Sequence, residues 1–104
     1  MATPFANNSP TIKLYHGDAK CPRTVVIQIL QQPSADANLF VGPDKAELDQ
    51  ASPGAAVGTL TAGVGVIDLS FNDRLILHGV KTDIYGRATP FSSATPLLVG
   101  VEAF

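Results

Sequence analysis

The chain has 104 residues, 45% of them apolar and only 15% charged, with a formal charge of −2. That length holds one domain with a proper core and not two. The charged share lies below the ~25% of an ordinary soluble domain, so the surface is one that continues readily into a partner. Lys13, Lys20, Arg23, Lys45, Arg74, Lys81 and Arg87 stand singly, which leaves no basic stripe for nucleic acid.

Residues 1–10, MATPFANNSP, carry two prolines and little periodicity. They read as a flexible arm preceding a β domain over 11–104, one able to order on a partner. They lack the basic start and apolar core of a signal peptide, and no later run approaches the ~18 apolar residues of a membrane span. TIKLYH (11–16) then alternates Ile12 and Leu14 against polar neighbours, the period of a half-buried strand. RTVVIQILQQ (23–32) is apolar on both faces and rich in β-branched residues, which predicts a central strand covered on both sides.

PSADAN (33–38) is a turn cluster and LFVGP (39–43) a short strand closed by Gly42 and Pro43. DKAELDQ (44–50) has the chain's one helical pattern: Asp44 can cap it, Glu47 stands three residues on, and Pro53 and Gly54 end it after one or two turns. Gly58, Gly63 and Gly65 predict bends between short strands, the last of them running through Val64, Val66, Ile67 and Leu69 to a turn at SFNDR. RLILHGV and TDIYGRA are extended pieces broken at Gly79 and Gly86, RATPFSSATP (87–96) is a loop, and PLLVGVEAF is a closing strand. Strands spaced by turn signals, with no βαβ alternation, predict an all-β single domain: an antiparallel sandwich or barrel, jelly-roll-like, with at most one short helix.

The densest mixture of reactive side chains is YHGDAKCPR (15–23), with His16, Asp18 and Cys21. Their spacing fits no zinc pattern and the other histidine, His78, is remote, whereas Gly17, Asp18 and Pro22 are residues that turns select. The segment reads as a turn, not a metal site. Cys21 is the single cysteine, so no intramolecular disulfide forms, a reducing cytosol is the expected place of synthesis, and the thiol reads as buried or half-buried and inert. His78 reads as a strand-end side chain. GVG (63–65) is no phosphate loop, because no Gly-Lys-Ser/Thr follows. Asp68, Asp73 and Asp83 read as solvated turn acids rather than a glycosidase pair. No catalytic set, cofactor or metal is expected. Most aromatics belong to a core, but Phe5 with its neighbour Pro4 in the arm, and Phe104 at the other end, are candidate partner-binding residues.

VVIQILQQPSADANLFVGPD, GTLTAGVGVIDLS, DRLILHGV and LLVGVEAF together resemble small structural proteins of tailed-bacteriophage virions. The matching residues are Ile27, Gln28, Leu39 to Gly42, Leu60 to Gly63 and Val99 to Glu102, while Leu30 stands where that pattern has asparagine. The resemblance implies a non-enzymatic capsid decoration (cement) protein, made in the host cytoplasm and placed on the capsid surface. Its implied partner is the major capsid protein lattice, its form a homo-oligomer with a trimer favoured, and its grip an N-terminal arm, with no nucleic acid or membrane involved. The alternative is a small neck, tail or fibre component with a carbohydrate- or receptor-binding module, for which Tyr85 and Phe91 would be the residues to test.

Overall fold

The structure, a computed structural model, describes residues 2–6, 10–34, 37–50, 67–69, 73–89, 91 and 94–104. Along them run strands β1 (Ala2–Phe5), β2 (Ile12–Tyr15), β3 (Arg23–Gln31) and β4 (Leu39–Gly42), helix α1 (Lys45–Gln50), then β5 (Ile67–Leu69), β6 (Arg74–Val80), β7 (Ile84–Ala88) and β8 (Leu97–Ala103). They pair antiparallel as β1·β8, β2·β7, β3·β6 and β4·β5, the rungs of one long ribbon. The first and third rungs lie in a four-stranded sheet, β1-β8-β3-β6, and the second and fourth in another, β2-β7-β4-β5. Pairings β3·β8 and β4·β7 join the rungs within each sheet. A ribbon rolled so that alternate rungs fall in opposite sheets is a jelly roll, the sandwich form among the all-β architectures expected.

The two sheets enclose one core. Val25, Ile27 and Ile29 of β3 and Leu97 and Val99 of β8 point inward from one sheet, and Leu39, Val41, Ile84 and Ala88 point inward from the other. Each such Val, Leu or Ile contributes about 1.5–3 kcal/mol by leaving water. The strand covered on both sides is β4, not β3: all four of its residues are buried, because α1 lies over its outer face and Leu48 packs there with Phe40 and Tyr85. β3 buries only the Val25 face, and Val26 and Gln28 on the other are half-buried. Apolar residues on both faces of a strand announce two contacts, and among the described residues only one of them is made.

The N-terminal reading is corrected as well. Ala2–Phe5 pair with β8 in the register Ala2↔Gly100 to Phe5↔Leu97, and Phe5 is fully buried in the core. The segment is therefore an edge strand of the sandwich and not an arm outside it. Proline is tolerated at an edge, where its missing N–H interrupts no interior ladder, and burial of the Phe5 ring offsets the entropy of ordering the strand.

α1 forms where the Asp44 cap places it: Asp44 Oδ1 accepts from Ala46 N–H at 2.9 Å, and Asp44 O accepts from Leu48 N–H at 3.2 Å. The predicted helix stop at Pro53-Gly54 and the bends at Gly58, Gly63 and Gly65 lie outside the described residues. Gly79 and Gly86 fall inside β6 and β7 rather than ending them. Between Leu77 and Val80 β6 advances one residue more than β3 does between Val25 and Arg23, and Gly79 takes up that bulge at φ 65°. Without a Cβ it holds this left-handed conformation without strain.

Candidate functional site

Residues 16–22 fold as the expected turn. Asp18 accepts from Cys21 N–H through its carbonyl at 3.1 Å and from Lys20 N–H through Oδ1 at 2.9 Å. His16, Asp18 and Cys21 do not converge. His16 Nδ1 instead faces Asp83 Oδ1 at 3.2 Å, with its side chain 80% exposed. Cys21 is exposed, neither buried nor half-buried, on the turn that carries the chain from β2 in one sheet to β3 in the other. Among the described residues, no group of three or more His, Cys, Asp and Glu side chains is placed to hold a metal ion.

Asp83, expected as a solvated turn acid, is instead the staple of this end. It accepts from Gly17 N–H at 2.8 Å and pairs with Lys13 Nζ at 3.1 Å, tying the turn after β2 to the start of β7. The Gly17 N–H first and Lys13 second hold its carboxyl below the usual carboxylate range. Asp49 on α1 is lowered in the same way, by the Thr11 hydroxyl first and then by Lys45 at 3.0 Å. A carboxylate whose folded pKa is depressed contributes stability above its unfolded pKa, about 4, and loses it as pH falls through the folded value. The urea midpoint should therefore hold steady from pH 7 to about pH 5 and fall below about pH 4. Asp83→Asn and Asp49→Asn should flatten that fall; an unchanged slope in the double variant would remove both carboxylates as its cause.

The second feature is the outer face of β1-β8-β3-β6. Strand alternation turns Val26, Gln28 and Leu30 outward from β3, Arg74, Ile76 and His78 from β6, and Gly100 and Glu102 from β8. Cross-strand neighbours are Val26↔Ile76 and Gln28↔Arg74 on one side of β3, and Val26↔Glu102 and Gln28↔Gly100 on the other. Phe104 extends β8, exchanging backbone hydrogen bonds with Thr24 at 2.8 and 3.3 Å. His78 at the bulge stands 3.4 Å from Thr24 Oγ1.

Among the described residues, the large hydrophobic side chains left exposed are Leu30 at 48%, Ile76 at 49% and Phe104 at 68%. All three border one open depression of about 580 Å³ on this face. Leu30 lies across Gly100, its Cδ1 3.0 Å from where a Cβ would stand. The three form a cluster on one sheet face, unlike the singly scattered apolar residues of an ordinary surface.

Of the three residues singled out from sequence, Phe104 lies on this face. Phe5 lies in the core and cannot reach a partner from there, and Pro4 is exposed on edge strand β1. Leu30 and Ile76 were not singled out, although the two-faced apolar pattern of RTVVIQILQQ signalled Leu30. No family model matches the chain, and neither does any curated protein or solved structure.

Proposed function

We propose that the chain is a non-enzymatic structural protein of a tailed-phage virion, a decoration protein that binds and stabilises the head shell. The observation that carries the protein-binding part of this reading is the clustering of exposed Leu30, Ile76 and Phe104 on one sheet face. The phage assignment rests on the sequence resemblance. The jelly roll itself decides little, since virion proteins, lectins and cupins all use it. With residues 2–5 built into the sandwich, attachment works through the folded domain rather than through a free N-terminal grip. Each copy adds one modest interface, and repetition over a lattice adds those interfaces up against the pressure of packaged DNA.

Co-sedimentation with intact phage heads lacking this protein tests the reading. The chain should pellet with the heads to saturation, and Ile76→Asp, a charge placed in the apolar cluster beside Val26, should weaken retention about tenfold or more. A chain that stays in the supernatant at every head concentration would refute the assignment.

A further inference from the structure

We infer that the outer face of β1-β8-β3-β6 is covered by the same face of a second copy, related to the first by a two-fold axis. The inference rests on the protein-binding reading of that face and names its immediate partner. Two charged side chains border the apolar cluster, Arg74 and Glu102, and both are exposed. Neither makes an ion pair among the described residues.

Their positions are complementary under a two-fold. Arg74 stands beside Gln28 on the β6 side of β3, and Glu102 beside Val26 on the β8 side. The two charges thus flank β3 on opposite sides, two residues out of step. A two-fold axis lying in the plane of the face and crossing β3 between Val26 and Gln28 exchanges the two sites. Each Arg74 then meets Glu102 of the second copy, twice per dimer, with Val26 and Ile76 between the pairs. This is the self-complementary contact that a two-fold interface requires. Arginine is the cation suited to it, because its planar guanidinium engages a carboxylate through two hydrogen bonds and sheds water more readily than an ammonium. The two signs cancel over the face, so identical faces approach without net repulsion. The unit presented to a larger lattice is then a dimer, not the trimer that the resemblance implies.

Light scattering on the full chain, across a concentration series reaching about 200 µM, tests this with charge reversals. The wild type should weigh twice the 10.9 kDa chain. Arg74→Glu and Glu102→Arg should each weaken dimerisation by about 30-fold or more, because each places like charges together twice. The double reversal should restore dimers, and so should an equimolar mixture of the two single variants, in which every pair is again opposite in sign. A monomer throughout the series, a mass of three chains, or single reversals without effect would overturn the inference, as would a double reversal no better than the singles. A dimer that does not pellet with heads would sink the virion reading alone, and a monomer that does would sink this inference alone.

Discussion

Phe5→Ala should lower the free energy of unfolding by about 3–5 kcal/mol, among the largest losses available to a single substitution in this chain. The ring is fully buried with Leu97 and Val99 of β8 and the inner residues of the opposite sheet. Its removal leaves a cavity at the end of an edge strand of only four residues, where little else resists fraying. Urea denaturation followed by far-ultraviolet dichroism measures the loss, and Phe5→Leu should cost a fraction of it. In a domain of this size the alanine variant should melt roughly 15 °C or more below the wild type. A loss under about 1 kcal/mol would mean that β1 is dispensable and that the first residues act as the arm their sequence suggests.

Gly17→Ala should produce the second large loss, about 2–3 kcal/mol, for a steric reason. A Cβ at this position would stand 2.2 Å from the carbonyl carbon of Thr82 and 2.3 Å from its oxygen. Those are backbone atoms, held by the neighbouring Asp83 and by β7, and no rotamer change clears them. The turn has to move away, and the Gly17 N–H then leaves Asp83, whose carboxyl loses the main contact that lowers its pKa. Nuclear magnetic resonance titration should find the Asp83 pKa raised in the variant relative to the wild type. An alanine variant of wild-type stability with an unchanged Asp83 titration would show that the turn and Thr82 do not meet so closely.

The architecture was legible because strand alternation and turn residues are local properties. Leu39 to Gly42, the Asp44 cap and the 16–22 turn stand where their residue types put them. What failed depended on distant partners. Phe5 looks mobile when read beside Pro4 and Asn7, and only the register with Leu97 to Gly100 makes it a core residue. Val26 and Leu30 look like the second buried face of a central strand, but α1 lies over β4 instead, and among the described residues no element lies over them. Asp83 is 66 residues from the Gly17 N–H that it accepts from, a contact that no spacing pattern announces. The candidate site is of the same kind: Leu30, Ile76 and Phe104 come from three different strands or their ends, and rolling the ribbon brings them to one face.

The most direct test of that face is hydroxyl-radical footprinting of the chain, dilute and then assembled on phage heads. Side-chain oxidation at Leu30, Ile76 and Phe104 should fall several-fold on assembly, whether a second copy or the shell covers them, while exposed His16 at the far turn keeps its rate. Protection at His16 and Cys21 with no change at Leu30, Ile76 and Phe104 would contradict the account and move the binding surface to the β2–β3 turn.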